Sequence, residues 1–345
     1  MDGGEPGGLE RLAEGALEAV VARLDPGTSG GRWVTALCGV PDEEVADLAE
    51  LSIAHSHEAQ VFLDLMPATV RQLQSTTTMH TERCVGHVRG PILWSETITA
   101  WSSGVGADDV FVCIAPVRDH DIAENRMVAW LLHRLNRASR QLDTAASMRF
   151  DDAARAEIAR NAASARRWLA HRHLADVERR RPRPADRRKA RSTRHRQPYE
   201  PAFALADRVD HPFVADELED LLDERQRARL GVLAAILDEL EDGGAELPPL
   251  RIAGRAVGAG RLVFRHPRHF PAEMAGIELA GTLLDVSVAA DPTEVEHDRQ
   301  RLARRAGGRP FELVTTRDGV ADAVAAALRT VSRGAQSSGS QRSGA

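Results

Sequence analysis

The 345 residues carry 45 Lys+Arg against 51 Asp+Glu, a formal net charge of −6, with 43% hydrophobic but only 4% aromatic content. Such a chain can bury a sizeable core as two domains or one elaborated one. No apolar run approaches the ~18 residues of a spanning helix, and the acidic, glycine-rich start lacks the basic n-region of a signal peptide, so a cytoplasmic protein without membrane attachment is expected. Cys38, Cys84 and Cys113 are odd in number and far apart, which argues against a disulfide framework or a cysteine zinc site.

Taken in chain order, residues 1–8 read as disordered, and Leu9, Leu12, Ala16, Val20 and Leu24 mark an amphipathic helix ending before Pro26-Gly27. Arg32 to Val40 reads as a strand, and Pro41 to Leu73 as a helical stretch divided at Pro67. Ile92, Trp94, Thr97 and Ile98 sit among β-formers and Val110 to Ala115 is a second apolar run, so two strands are predicted, joined by a turn in SSGVGAD. After Pro116, Asp121 three residues ahead of Glu124 predicts a capping box, and Val128, Leu131, Leu132 and Leu135 put one apolar stripe on the helix that follows. Trp94 and Trp130 are expected in the core.

Asp151 or Asp152 is placed to cap a long helix running toward Arg181, on which Ile158, Ala162, Ala165 and Leu169 share a face. Pro182 and Pro184 end it, and the nearly apolar-free stretch to Tyr199 reads as a loop or a segment that orders on binding. Val214 to Leu240 is again helical, bent near Glu224 to Arg227 and stopped by Gly243-Gly244. Beyond it, Arg261 to Arg265, Ile277 to Val288 and Phe311 to Thr315 are β-type, while Asp298 to Ala306 and Ala321 to Val331 are helical; that alternation implies a small α/β unit with a parallel crossover. The fold class is therefore α+β: a mixed module of short strands and amphipathic helices over 9–150, an arginine-rich helix and basic loop over 151–210, a helical segment with the α/β unit over 211–331, and a flexible tail over 332–345.

The element RG-x-I-x-W, here Arg89, Gly90, Ile92 and Trp94, is followed by D-x-x-ENR, here Asp121, Glu124, Asn125 and Arg126. Together with the basic, tyrosine-containing RSTRHRQPYEPAFALADR from Arg191 to Arg208, these residues resemble the domain that precedes the nuclease in McrC-like subunits of modified-cytosine restriction and phage-defence systems. The resemblance covers roughly residues 80–210. It implies a defence context and a motor or nuclease protein as partner. Read for themselves, Glu124 closes the capping box with Asp121, while Asn125 and Arg126 are left to reach a partner or to fasten the helix.

The charge is distributed unevenly. Residues 155–196 hold 14 arginines and Lys189 against four carboxylates, a local surplus of +11 inside an acidic protein. Guanidinium groups stay charged and bind phosphate bidentately, so Arg179, Arg180, Arg187, Arg188, Lys189, Arg191, Arg194 and Arg196, with Tyr199, are the candidate DNA contacts. The bland alternatives are a solvated arginine-rich helix or a limb pairing with the acidic remainder or with an acidic protein.

The nuclease of McrC-like proteins holds its metal with an Asp and a Glu and uses a lysine beside them. The nearest match here is Asp285 with Glu312, and Mg²⁺ would be needed only if it were active. The residue two beyond Glu312 is Val314, the single lysine is the distant Lys189, and a predicted helix separates the two carboxylates where a hairpin is needed. His55 with His57, and His171 with His173, are spaced to face apart on a helix, so no metal site is expected. The reading is a non-catalytic, DNA-associated component of a restriction or defence system, without cofactor; an unusual nuclease and an adaptor for an acidic partner are the rivals.

Overall fold

The computed structural model describes residues 14–103, 109–192, 194, 196–242, 247–271, 274–289, 291–315 and 319–327. The predicted disordered ends, most of the SSGVGAD turn and the Gly243-Gly244 stop lie outside them. The elements are α1 (Ala16–Ala22), α2 (Gly30–Cys38), α3 (Asp42–His55), α4 (His57–Arg71), β1 (Thr76–Val85), α5 (Trp94–Ser102), β2 (Val110–Asp119), α6 (Ala123–Ala138), α7 (Asp152–Leu169), α8 (Pro184–Ser192), α9 (Glu200–Asp210), α10 (Ala215–Glu219), α11 (Glu224–Asp242), β3 (Arg251–Ala253), β4 (Ala256–Ala259), β5 (Leu262–Arg265), β6 (Gly276–Leu279), β7 (Thr282–Val286), α12 (Pro292–Ala306) and β8 (Phe311–Val314). Residues 319–327 are helical again. The class is α+β.

Two compact units are each assembled from separated stretches of chain: residues 50–144 with 151–210, and residues 1–49 with 145–150 and 211–345. In the first, α6 packs on α7, α8 and α9, and α4 on α7 and α9. The predicted stripe of α6 is its buried face, with Val128, Leu131, Leu132 and Leu135 inaccessible and Trp130 nearly so. On α7 the Asp151 carboxylate accepts the Ala154 N–H, and Ile158, Ala162 and Ala165 are fully buried. Against this bundle stands a two-stranded antiparallel ribbon in which β1 pairs with β2 from Thr76–Asp119 to Val85–Val110.

Several predicted elements differ. The Trp94 segment is helix α5, not a strand; only Ile92 bridges β2, at Cys113. Packing against β2 decides this: the fully buried Thr97 hydroxyl accepts the Val112 N–H at 2.9 Å, and the Trp101 Nε1–H donates to the Val110 carbonyl at 2.7 Å. Those bonds need a helical spacing on α5, and they leave Trp94 outside, 55% exposed rather than in the core. The division of the 41–73 helix falls at Ser56, whose hydroxyl accepts the Ala59 N–H as an N-cap, while Pro67 lies inside α4. The helix from Asp152 stops at Leu169 instead of running to Arg181, and the expected basic loop contains α8, which hides Ala190 against the bundle.

In the second unit β3 to β8 form one six-stranded sheet in sequence order, antiparallel except for β7–β8. The crossover through α12 supplies the predicted parallel pair, with Leu283, Leu302 and Ala306 as its core. Strands β3 and β4, rich in glycine and alanine, were not predicted. The helix α11 packs on α1 and on β6 and β7, and the predicted helix 214–240 is in fact α10 and α11, separated at 220–223. The predicted strand 32–40 is helix α2: Trp33, Val34 and Leu37 are buried along it, and burial overrides the strand preference of its β-branched residues. Gly39 ends it at φ +66°, and a Cβ there would stand 2.1 Å from the His266 ring. Only glycine fits.

Candidate nucleic-acid interface and its supporting network

Apart from the exposed Arg89 and Trp94, the motif residues of the first unit build a fastening rather than a recognition surface. Gly90 lets its segment run against β2, since a Cβ would lie 2.1 Å from the Ile114 carbonyl oxygen. Arg89 reaches out and pairs with Glu82 at 3.4 Å. At the start of α6 no side chain caps the helix, so the predicted capping box is absent. Asp121 instead grips Arg126 through two 2.8 Å bonds and accepts the Glu178 N–H at 3.0 Å. Hydrogen bonding to Arg126 holds the Asp121 carboxyl below its ordinary range. Glu124 is buried near Tyr199, where it opposes ionisation of the phenol.

Asn125 is fully buried and saturated. Its Nδ2 donates to the Gln74 carbonyl at 2.9 Å and the His120 carbonyl at 2.8 Å, and its Oδ1 accepts the Tyr199 hydroxyl at 2.8 Å. Tyr199 accepts in turn from the Gln74 N–H at 3.0 Å. Burial pushes the Tyr199 phenol up to about 12. These bonds tie Gln74, two residues ahead of β1, the residue after β2, α6 and the end of the basic stretch together. Tyr199, proposed from sequence as a DNA contact, is inaccessible and belongs to this network.

The arginines of the basic stretch divide in two. Arg187, Arg181, Arg191 and Arg196 pair with carboxylates of α9: the first two with Asp210, the third with Asp207, the last with Glu200. Arg187 is only 16% exposed, and its guanidinium lies 5.4 Å from the Trp130 ring centroid; Arg191 stands likewise 5.5 Å from Phe203. Arg180 pairs with Glu178 at 2.9 Å, and Arg179 donates to the Ala175 carbonyl at 3.2 Å. Arg188, Lys189 and Arg194 are exposed and form no ion pair among the described residues; the same holds for Arg167 and Arg183, which were not singled out from sequence. A cation without a fixed counter-ion keeps its charge available for phosphate.

The two candidate nuclease carboxylates are not brought together. Glu312 is paired with Leu284 and Asp285 with Leu313, so by strand alternation Asp285 and Glu312 leave opposite faces of the sheet. Asp285, 2% exposed, is already held: its oxygens accept from Arg229 at 2.8 and 3.2 Å, from Arg305 at 2.6 Å and from its neighbour Val286 N–H at 2.9 Å. Burial alone would raise its pKa, and the two guanidiniums outweigh that and lower it. Sequence reasoning found the carboxylate and missed its partners, because Arg229 and Arg305 come from helices far apart in the chain. Among the described residues no group of three His, Cys, Asp or Glu side chains is arranged to hold a metal ion, and no helix is long and apolar enough to cross a membrane.

The sequence matches no protein family and no characterised protein. Among solved structures, a chain from the half-complex of the tetradecameric assembly of Thermococcus gammatolerans McrB AAA+ hexamers with bound McrC is similar at 11% sequence identity and a TM-score of 0.27. The match covers 88% of this chain and 62% of that one. So loose a superposition assigns neither fold nor function.

Proposed function

We propose that the protein is a non-catalytic, DNA-associated component of a restriction or phage-defence system, contacting the DNA backbone through the first unit. The observation that carries this is the set of exposed cations that form no ion pair among the described residues, which includes Arg160, Arg166, Arg167, Arg172, Arg183, Arg188, Lys189 and Arg194, on a stretch with a surplus of +11. The defence context comes from the McrC-like motif residues. Several of them have a supporting part: buried Asn125 with Tyr199, and the partly exposed Asp121–Arg126 pair, hold the basic stretch on the ribbon and bundle. A protein partner, motor or nuclease, is favoured by Trp94 and Ile98, each 55% exposed and one turn apart on α5, with Val88 nearby in sequence and 49% exposed.

Phosphate contacts position without specifying sequence, so duplex DNA should bind with little sequence preference and a steep salt dependence. Charge reversal at Arg183, Arg188, Lys189 and Arg194 should abolish a mobility shift seen at about 50 mM salt, where nonspecific contacts are strong. The same reversal at the ion-paired Arg187 would confound folding with binding and is avoided. Absence of any shift for the wild type at that salt would sink the DNA reading and favour an acidic protein as the partner.

A further inference from the structure

Among the described residues the ribbon of the first unit has one closed edge and one open edge. It consists of β1 and β2 alone. The outer side of β2 is closed by α5 and the segment before it: the Leu93 N–H donates to the Val112 carbonyl at 2.8 Å, the Ile114 N–H to the Pro91 carbonyl at 2.9 Å and the Val112 N–H to the Thr97 hydroxyl at 2.9 Å. Val112 and Ile114 thus turn their backbone groups away from β1, so their opposite numbers Arg83 and Thr81 turn theirs away from β2. By the two-residue period of a strand, Thr77, Met79 and Val85 do the same. No hydrogen bond among the described residues reaches the backbone groups of Thr77, Met79, Thr81 or Arg83, and the His87 ring meets only the Val85 carbonyl at the far end, at 2.9 Å. The side chains of all five are exposed as well.

Such an edge is a template for another strand, and proteins ordinarily blunt it with lysine, proline or a bulge. β1 has none of these: its register runs unbroken through ten pairs from Thr76 to Val85, and Met79 and Val85 are large hydrophobics exposed along it. We infer that β1 is a dimerisation edge, on which a second copy of this chain lays its own β1 antiparallel about a two-fold axis beside Thr81. The order of residues selects both occupant and register. Thr81 then faces the partner's Thr81, Met79 faces the partner's Arg83, and His80 faces the partner's Glu82. An imidazole meets a carboxylate twice, the arginine stems cover the exposed methionines, and no like charges are opposed. Moving the axis one residue either way sets Glu82 on the partner's Glu82 or His80 on the partner's His80. Moving it two residues sets Arg83 on the partner's Arg83, or else loses the His80 and Glu82 pairing. The outward backbone groups of both copies are satisfied in one four-stranded sheet, which supports a ribbon better than two strands alone. The inference does not depend on DNA binding.

Sedimentation equilibrium of the full chain across a wide range of concentration reads this, and a reversible monomer–dimer equilibrium is expected. Thr81→Pro removes the central outward N–H and should abolish the dimer. Proline is tolerated there in the monomer because the lost N–H faces solvent, so the far-UV circular dichroism should not change. His80→Glu, at an exposed position, sets carboxylate on carboxylate twice and should raise the dimer Kd about tenfold. Adding Glu82→His to it exchanges the pair and should restore the wild-type Kd, a rescue that no other use of the edge provides. The His80 variant keeps the test valid if Thr81→Pro fails to fold. A wild type that is monomeric at every concentration overturns the inference. So does a dimer indifferent to Thr81→Pro, which places association on another surface, and so does a His80→Glu variant that dimerises as well as wild type or is not rescued by the exchange.

Discussion

Two aspartates in this protein are each gripped by arginine, and their settings differ. Asp121 and Arg126 in the first unit are both about one-third exposed, at 31% and 32%, and sit at the rim of a hydrogen-bond network. Asp285 in the second unit is 2% exposed and its partners Arg229 and Arg305 are 11% and 18%. Water screens the first pair, so its Coulomb attraction contributes little and its value lies in orienting Glu178 and the basic stretch. The second is sealed: four guanidinium and amide donors offset its desolvation, and the carboxylate cannot be removed without stranding buried cations. One pairing organises a surface. The other holds a core together.

The largest expected effect breaks the buried side of the comparison. Asp285→Ala should cost on the order of 3–5 kcal/mol, because it leaves Arg229 and Arg305 buried without a counter-ion. Urea denaturation of the purified variant measures it, and a loss below about 1 kcal/mol, the range of an exposed pair, would show that the two sites do not differ.

The next sharpens it through pH. His266 is 3% exposed, its Nδ1 accepts the Arg268 N–H at 3.1 Å, and burial lowers its pKa to about 3, with His269 and nearby arginines adding to the shift. The native state therefore resists a proton that the unfolded chain takes up near pH 6.5. The stability this histidine contributes is present above about pH 6.5 and is lost as pH falls from there toward 3, with a slope of at most about 1.4 kcal/mol per pH unit. Denaturation of wild type and His266→Gln between pH 7 and 4 should give a difference curve of that sign. Parallel curves would place the histidine in contact with water.

The smallest effects lie in the first unit. Asn125→Ala strands the Tyr199 hydroxyl and two backbone carbonyls and should cost about 1–3 kcal/mol, whereas Trp94→Ala, at an exposed position, should stay within about 0.5 kcal/mol. Thermal melts of the two variants side by side decide it. A larger loss for Trp94 would mean that the tryptophan is covered in solution. The sequence pattern alone suggests the reverse order, since Trp94 sits in an apolar run and Asn125 is polar.

That reversal marks what the sequence determined. Features written in neighbouring residues were legible: the apolar stripe of α6, the Asp151 cap and buried face of α7, the β7 and β8 runs with the helix between them, and the concentration of arginine in 155–196. Each depends on a periodicity or a cap that one segment carries by itself. Where a distant partner decides, the local signal failed. The segment of α2 is helical with every residue from Trp33 to Cys38 buried, on all sides of the helix, and the Trp94 segment is helical because Thr97 and Trp101 bond to β2. The arginine-rich α8, almost without apolar residues, is helical where Ala190 is buried and the Arg187 and Arg191 guanidiniums lie over Trp130 and Phe203 and meet Asp210 and Asp207. Asp121 and Glu124 have the spacing of a capping box, yet Arg126 and the Glu178 amide claim Asp121 for themselves. The candidate carboxylates Asp285 and Glu312 were visible as residue types. Only strand register decided that they leave opposite faces, because a side chain's direction follows the pleat and not its chemistry.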